Sequence, residues 1–245
     1  MSGREQVVAG RRAALEAVRS GRASEVLVAE GSHDTAALRE LKEACRASGA
    51  RIREVPRSEL DALAEEHHGV AARVRAPADL SERDLATWPF GEDDLVVVLD
   101  GVTDPQNLGA AARSAEAAGV AMLVTRTRRA APVTAAAVRA SAGALLHLPH
   151  ARVANVTRAI QRLQDAGFHV VGMDEKAAKS IYDEPCPLGR LAIVLGSEDV
   201  GLSRLVREAC DRLVSLPMRG RVTSLNASAS LAAVLYAYVL PSRRP

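Results

Sequence analysis

Five consecutive apolar residues, Leu95-Val96-Val97-Val98-Leu99, stand near the middle of this chain of 245 residues. Their number and their β-branched side chains are typical of a strand. Because no polar residue interrupts the run, we expect the strand to be covered on both faces, as strands of parallel sheets are. Strand and helix patterns alternate after it. The sequence therefore predicts an α/β fold with a mainly parallel sheet over residues 93–245.

The elements of this larger domain follow from the spacing of its apolar residues. Further strands are predicted at about 120–124, 144–148, 168–172, 191–195 and 212–216. Helices are predicted at about 107–118, 133–140, 153–166, 203–209, and in a terminal segment that reaches about residue 240.

A smaller alternation of helix and strand patterns precedes it, over residues 7–75. Helices are predicted at 11–19, at 35–48 and from 58, and strands at 25–29 and 51–55. The stretch that follows is acidic and carries prolines, which are typical of a linker. We therefore predict a first α/β domain at 1–76, a linker at 77–92 and a second domain at 93–245.

Composition narrows the class of protein. Hydrophobic residues make up 48% of the chain, which supports a packed core, and the net charge is +2. Positive charge is concentrated in short clusters that suit a polyanionic partner, although each cluster alone is also compatible with a solvated surface. These clusters are Arg11 and Arg12; Arg126, Arg128 and Arg129; and Arg219 and Arg221.

The cysteines point to a reducing compartment. Cys45, Cys186 and Cys210 are widely separated and odd in number, so they form neither a disulfide framework nor a zinc motif. No apolar run approaches the roughly 20 residues that a membrane span requires. We expect a cytoplasmic protein without a bound metal and without a membrane partner.

Three polar or glycine-bearing loops each follow a predicted strand, at 100–109, 196–201 and 216–230. Ligands of open α/β sheets bind outside the carboxyl ends of the strands, so these loops are predicted to build one site. In the third loop Ser224, Asn226 and Ser228 stand at a helix start, where they can cap the helix, hold a polar ligand, or both. A dinucleotide fingerprint, a P-loop and a nucleophile motif are all missing. The side chains suit a group transfer between two bound substrates.

Three stretches of this sequence resemble the three motifs of the SpoU family of RNA ribose 2′-O-methyltransferases, within the SPOUT superfamily. The stretch that resembles motif 1 is Asp100-Gly101-Val102-Thr103-Asp104-Pro105-Gln106-Asn107-Leu108-Gly109-Ala110-Ala111-Ala112-Arg113. Motif 2 resembles Leu195-Gly196-Ser197-Glu198-Asp199-Val200-Gly201-Leu202. Motif 3 resembles the stretch from Leu216-Pro217-Met218 to Ser224-Leu225-Asn226-Ala227-Ser228. The order and the spacing of the three motifs also fit, over roughly residues 93–240.

The first domain extends the resemblance. An RNA-binding domain like ribosomal protein L30e precedes the catalytic domain in family members that act on 23S rRNA. Two stretches of the first domain resemble that RNA-binding domain: Gly10-Arg11-Arg12-Ala13-Ala14-Leu15-Glu16-Ala17-Val18 and His67-His68-Gly69-Val70-Ala71-Ala72. The nearest resemblance is to the 23S rRNA guanosine 2′-O-methyltransferases. The sequence departs from the family pattern at three positions. It has Arg12 where the family commonly has Asn, His68 where Gln is common, and Ala227 where Val is common. The first two bear on the target nucleotide more than on the reaction.

The resemblance implies a deep trefoil knot that holds S-adenosylmethionine (SAM), and a homodimer formed through the catalytic domain. By position, the backbone at Gly196, Leu216 and Leu225 is expected to bind the cofactor. The residues expected to line the site where ribose meets the methyl group are Asn107, Arg113, Glu198, Ser224 and Asn226. Those expected to contact RNA are Arg11, Arg12, His68, Arg126, Arg128, Arg129, Arg219 and Arg221.

Some roles stay open at this level. Arg113 is either the base that takes the hydroxyl proton or a contact to phosphate or to the developing alkoxide; its high pKa makes a neutral guanidine scarce. Glu198 either orients Arg113 or Asn107, or caps the helix near Leu202. Asn107 can serve as an N-cap and contact ribose as well.

Three functions compete. The leading one is SAM-dependent 2′-O-methylation of a nucleotide, predicted to be guanosine, in 23S rRNA. The second is methylation of a tRNA guanosine, or a resistance-type methylation elsewhere on 23S rRNA. The third is a non-catalytic RNA-binding factor for ribosome assembly. All five polar motif residues are present, which favours catalysis.

Overall fold

The computed structural model describes residues 5–64, 67–75, 80–197, 200–221 and 224–243. They divide into two compact units. Unit 1 comprises Met1–Ala78 together with Val133–His147, and unit 2 comprises Asp79–Pro132 together with Leu148–Pro245.

Unit 1 is a four-stranded sheet with helices. Its elements in chain order are β1 (Glu5–Ala9), α1 (Arg11–Arg19), β2 (Ala23–Ala29), α2 (Ala36–Ser48), β3 (Arg51–Val55), α3 (Arg57–Leu63) and β4 (Val70–Arg75). The strand order is β1-β4-β2-β3, in which β4 is antiparallel to both neighbours and β2 is parallel to β3. The helices and strands predicted above are present, and β1 and β4 complete the sheet.

Unit 2 contains a seven-stranded sheet in which all described strand pairs are parallel. Its elements begin with β5 (Leu80–Ser81), α4 (Glu82–Thr87), β6 (Leu95–Asp100), α5 (Pro105–Ala117) and β7 (Met122–Arg126). After the segment that belongs to unit 1 come β8 (His150–Val153), α7 (Val156–Asp165), β9 (His169–Met173), β10 (Leu191–Gly196), α8 (Arg204–Ala209), β11 (Arg212–Val214), α9 (Ala227–Val234), a π-helical turn (Leu235–Val239) and α10 (Leu240–Ser242). Between the two parts, α6 (Ala135–Ala140) and a 3₁₀ turn (Ala144–Leu146) lie in unit 1.

The strand order of unit 2 is β11-β9-β10-β6-β7-β8-β5. All six residues of β6 are buried, as the unbroken apolar run predicts for a strand covered on both faces. The predicted α/β architecture with a mainly parallel sheet is confirmed. At the carboxyl edge of the sheet, Asp100 of β6 pairs with Gly196 of β10, so the first two polar loops begin side by side.

The interpretation of residues 80–92 as linker is wrong. Leu80–Ser81 pairs with β8, and Ser81 caps α4 through a capping box with Asp84. Leu85 and Phe90 are buried in the core, where the Phe90 ring meets Phe168 edge to face with 4.8 Å between ring centroids. The acidic residues that resemble linker composition are in part the capping groups of a helix start. Residues 76–79 lie outside the described ranges.

The strand predicted at 144–148 is a 3₁₀ turn instead. Ala142 and Gly143 take left-handed backbone angles, with φ of 51° and 94°, and break the chain direction after α6. The strand begins beyond Pro149, at His150. The apolar residues of the 3₁₀ turn imitate a strand, and the true strand, β8, has only four residues. The predicted strand therefore lies a few residues before the real one.

Candidate active site

Four adjacent parallel strands end at one edge of the unit 2 sheet. The pairs at this edge are Val214 with Met173, Met173 with Leu195, and Gly196 with Asp100. Parallel strands bring their carboxyl ends together, so the loops after β6, β9, β10 and β11 all start from this edge. Residues far apart in the chain thereby share one site.

A cavity of about 260 Å³ opens at this edge. The three residues predicted to bind the cofactor, Gly196, Leu216 and Leu225, all line it. Ser224 lines it as well. Of the three loops predicted to share one site, the second and the third therefore line one cavity, whereas no residue of the first, 100–109, is among the lining residues. Its volume lies near the lower end of the range for small-molecule sites.

Gly196 sits where no side chain fits. A Cβ added there would lie 2.0 Å from the carbonyl carbon of Gly201 and 2.4 Å from the backbone nitrogen of Leu202. The loop folds back because the Gly201 N–H donates to the Ser197 carbonyl at 2.8 Å. Glycine here lets two stretches of backbone approach each other at the wall of the cavity.

The start of α9 is held by its own side chains. Asn226 is the N-cap, and its Oδ1 accepts from the Ala229 N–H at 2.8 Å and from the Ser228 hydroxyl at 3.2 Å. Leu225, directly before the cap, is 43% exposed although it lines the cavity. An apolar side chain left open to solvent beside a helix start is suited to contact a bound ligand.

Asn107 and Arg113 lie on α5, outside the cavity lining. Asp104 is the N-cap of this helix, accepting from the backbone N–H groups of Gln106 and Asn107, so the N-cap role proposed for Asn107 is wrong. Asn107 is half-buried in the first turn, and Arg113 is exposed. Helix α5 packs against α9, which brings motif 1 beside motif 3. Glu198, together with Asp199, lies outside the described residues.

Asp100 is a residue of this site that the sequence pattern did not single out. It is buried at the end of β6, and its Oδ1 lies 3.3 Å from Nη1 of Arg126 at the end of β7. Burial raises the pKa of Asp100, while the Arg126 charge and a hydrogen bond from the Ser203 backbone N–H oppose the rise. The signal available in the sequence was a lone acid that closes a fully apolar strand. Arg126, predicted to contact RNA, is thus engaged with a buried carboxylate.

Four charged residues that were not predicted also line the cavity: Asp174, Glu175, Lys176 and Arg207. Asp174 follows β9 directly, and Arg207 lies on α8; Nε of Arg207 is 2.7 Å from Oδ2 of Asp174. Nothing in the spacing of these residues, 33 positions apart by their numbers, indicates that they meet. An acid directly after a strand was the only available signal.

Cys210 is a thiol beside this part of the sheet. Its Sγ lies 2.9 Å from the position that a Cβ at Gly172 would take. Burial raises the pKa of Cys210 to about 12. A thiol with this pKa stays protonated at neutral pH, which is unsuited to nucleophilic catalysis.

The predicted RNA-contacting residues divide between the units. In unit 1, Arg12 and His68 are exposed, and Arg11 is half-buried and donates to Oγ1 of Thr35 at 3.5 Å. His68 has a left-handed φ of 49° beside the buried His67, whose Nδ1 accepts from the Gly69 N–H at 3.0 Å. In unit 2, the exposed members are Arg128, Arg129, Arg219 and Arg221.

Within the described ranges, the structure has neither a candidate metal site nor a candidate membrane span. There, no group of three or more His, Cys, Asp or Glu side chains is placed to hold a metal ion. No helix in the same part of the chain combines the length and the hydropathy needed to cross a membrane.

Two family profiles match the chain. The SpoU rRNA Methylase family matches residues 94–236, and the family described as RNA 2′-O ribose methyltransferase substrate binding matches residues 7–80. The first match alone covers more than half of the chain.

Individual relatives agree with this assignment. The chain is 41% identical over 215 residues to the 23S rRNA (guanosine-2′-O-)-methyltransferase RlmB of Vibrio cholerae serotype O1, covering 86% of each chain. It is 36% identical over 241 residues to the putative TrmH family tRNA/rRNA methyltransferase YacO of Bacillus subtilis, covering 96% of each.

A solved structure supports the same placement. The SpoU methyltransferase AviRb from Streptomyces viridochromogenes, in complex with the cofactor AdoMet, is 31% identical with a TM-score of 0.77, over 95% of this chain and 88% of that one. Sequence profiles, full-length relatives and fold therefore converge, and the chain belongs to the SpoU rRNA methylase family.

Proposed function

We propose that this protein transfers a methyl group from SAM to the ribose 2′-hydroxyl of a guanosine in 23S rRNA. The observation that carries the proposal is the cavity at the sheet edge, which is lined by Gly196, Leu216 and Leu225 together. The RlmB relative, which covers most of this chain, is a 23S rRNA guanosine-2′-O-methyltransferase and supports the choice of substrate.

The cavity suits a ligand that is part nucleoside and part amino acid. Its wall combines apolar side chains such as Met218 and Leu225 with charged groups such as Lys176 and Arg207. The absence of a side chain at Gly196 lets the backbone of Gly201 and Leu202 pack closely against it at the wall of the cavity. We propose that the backbone at Gly196, Leu216 and Leu225 holds SAM, whose sulfonium carries the activated methyl group.

The remaining motif residues are proposed to position the ribose. Asn107 and Arg113 lie on α5, and α5 packs against α9, the helix that Asn226 caps. We assign Asn107, Arg113, Glu198, Ser224 and Asn226 to the acceptor site. As the 2′-hydroxyl oxygen bonds to the methyl carbon, the bond from that carbon to the sulfur of SAM breaks, S-adenosylhomocysteine leaves, and the hydroxyl proton passes to a base or to solvent. Orientation and charge stabilisation therefore dominate. Arg113, a permanent cation, suits contact with phosphate or with the developing alkoxide.

RNA binding is proposed to use both units. In unit 1 we assign Arg11, Arg12 and His68 to RNA, and in unit 2 Arg128, Arg129, Arg219 and Arg221, with Arg126 reaching RNA only with the part of its guanidinium that Asp100 leaves open. Arginine side chains that reach the protein surface are common contacts to phosphate. Residues 1–76 are proposed as the substrate-binding domain and 93–245 as the catalytic domain. Residues 80–92 are added to the latter, and Val133–His147 clusters with unit 1.

We further propose the deep trefoil knot and a homodimer formed through the catalytic domain. For the knot, the support is the match to the SpoU family, together with Gly201 of the second loop and Leu225 of the third, which line the same cavity. For the dimer, the support is a set of large apolar side chains left exposed in unit 2, among them Tyr182, Leu205 and Tyr236. Exposed apolar groups of this size are common at subunit interfaces.

The experiment that tests the function is methyl transfer from labelled SAM. The protein is incubated separately with unmodified 23S rRNA and with tRNA, and any 2′-O-methyl nucleotide is mapped. We expect label in 23S rRNA at one guanosine. Label only in tRNA would overturn the rRNA assignment and favour the second function, to which the name of the YacO relative also points. SAM binding without label in either RNA would favour the non-catalytic factor.

A further inference from the structure

Asp174 is a buried acid whose carboxylate is only partly satisfied. Its side chain is 8% exposed, and Oδ1 accepts from the Lys176 backbone N–H at 3.0 Å. Oδ2 has no hydrogen-bond partner among the described residues. The Arg207 Nε lies 2.7 Å away, which is ion-pair distance, but its N–H is not aligned with this oxygen. One acceptor of a buried carboxylate is therefore left for another donor.

A buried carboxylate oxygen without a hydrogen-bond donor destabilises the folded protein unless a ligand supplies a donor. Buried polar atoms are almost always hydrogen-bonded, and a carboxylate that lacks a donor loses its hydration without compensation. The nearby guanidinium offsets the negative charge but not the missing hydrogen bond. Because Asp174 and Arg207 both line the cavity, a ligand in the cavity can supply the donor.

We propose that Asp174 accepts a hydrogen bond from a ribose hydroxyl of the cofactor's nucleoside. This inference rests on the proposed function. Arg207 already offsets the charge of the carboxylate, so the acid acts as an acceptor for a neutral hydroxyl rather than as the counter-ion of an ammonium group. An acid that holds ribose hydroxyls near a strand end is a recurrent solution in α/β folds.

The position of Asp174 in the sheet fits this group. Asp174 follows β9, and β10 separates β9 from β6, whose loop leads to Asn107 and Arg113. Two strand spacings amount to about 10 Å. Asp174 thus lies on the side of the cavity away from the proposed acceptor site, where a group other than the reacting methyl must be held.

Calorimetric titration of the full-length protein with S-adenosylhomocysteine tests the assignment. We expect Asp174→Ala to weaken binding about ten- to a hundredfold, as for a hydrogen bond to a charged group, and Asp174→Asn to weaken it less. The control is Glu208→Gln, an exposed carboxylate on α8 that pairs with Arg204. It should bind like the wild type.

Ligand analogues identify the group that Asp174 contacts. Wild-type protein should lose affinity for the 2′-deoxy or the 3′-deoxy analogue of S-adenosylhomocysteine, while Asp174→Ala should bind that analogue and the parent compound alike. If Asp174→Ala fails to fold, Asp174→Asn replaces it and should show a smaller difference between the two ligands than the wild type. Methylthioadenosine lacks the amino-acid part. If Asp174→Ala weakens S-adenosylhomocysteine but not methylthioadenosine, the acid contacts the ammonium group and the inference is wrong.

The two levels of failure are distinguishable. Wild-type protein that binds no S-adenosylhomocysteine contradicts the proposed function itself. Wild-type protein that binds it, with Asp174→Ala binding equally well, contradicts only the assignment of Asp174.

Discussion

At the scale of single residues, Gly196 is a position that tolerates no larger residue without a shift of the backbone. The backbone of Gly201 and Leu202 occupies the space that any side chain would need, with contacts as short as 2.0 Å. Backbone cannot rotate away as a flexible side chain can. The loop at the cavity wall would therefore have to open.

We predict that Gly196→Ala lowers the free energy of unfolding by about 1–3 kcal/mol, as overpacking does, and weakens S-adenosylhomocysteine binding. Urea denaturation and titration measure the two effects. Gly220→Ala is the matched control, because a Cβ added at Gly220 would meet nothing within 4 Å. Equal behaviour of the two variants would show that the close approach at Gly196 has no role.

Asn107 and Arg113 test the proposed acceptor site. We predict that Asn107→Ala and Arg113→Ala each reduce methyl transfer by about 10²- to 10³-fold, since an oriented polar contact to the reacting group is lost. Arg113 is exposed, so its variant should keep the free energy of unfolding within about 0.5 kcal/mol of the wild type. Methyl transfer to 23S rRNA and circular dichroism are the measurements.

The control is Arg204→Ala, an exposed arginine on α8 whose partner is Glu208. Wild-type rates in both the Asn107 and the Arg113 variants would show that the acceptor site is wrongly assigned.

At the scale of elements, the start of α9 combines two tasks in Asn226. Its side chain caps the helix through Ala229, and it is also proposed to face the ribose. We predict that Asn226→Ala loses about 1 kcal/mol of stability through the missing cap and loses methyl transfer. Asn226→Ser keeps a capping oxygen, so thermal unfolding should recover while methyl transfer stays low. Recovery of both would reduce Asn226 to a cap.

Most elements could be predicted from the sequence because their apolar periods are strong. β6, β9 and β10 are covered runs, and their positions agree with the structure within two residues. Failures occurred where local chemistry imitates another state. Residues 80–92 have the acidic composition of a linker, yet the Ser81 hydroxyl and the Asp84 carboxylate cap α4. The 3₁₀ turn after Gly143 carries the apolar side chains of a strand.

At the scale of the whole molecule, the first unit is completed by a segment distant in the chain. Val133–His147 clusters with it, and the segment contacts α1 and β1. The Gln6 amide donates to the Val133 carbonyl at 3.4 Å, and His147 Nε2 lies 3.2 Å from the Glu16 carboxylate.

We predict that Gly143→Ala destabilises the protein through this packing. A Cβ at Gly143 would lie 2.5 Å from the Glu16 Cβ, and the backbone there has a φ of 94°. Gly21→Ala is the control, because Gly21 also has a left-handed φ, of 66°, but nothing within 4 Å. The unfolding free energy of Gly143→Ala should fall below that of Gly21→Ala by about 1–3 kcal/mol. Equal losses would mean that backbone strain alone acts.

The amino-acid sequence by itself determined the α/β class, the buried central strand and the three polar loops, whereas Gly196, Leu216 and Leu225 were singled out by the resemblance of those loops to the family motifs. These features are local: they depend on apolar periods and on residue types at short spacings. Only the tertiary structure brought Asp174 to Arg207, Asp100 to Arg126, and Gly143 to Glu16. Each of these pairs joins different elements. Such contacts depend on sheet order and helix packing, which no short-range pattern encodes.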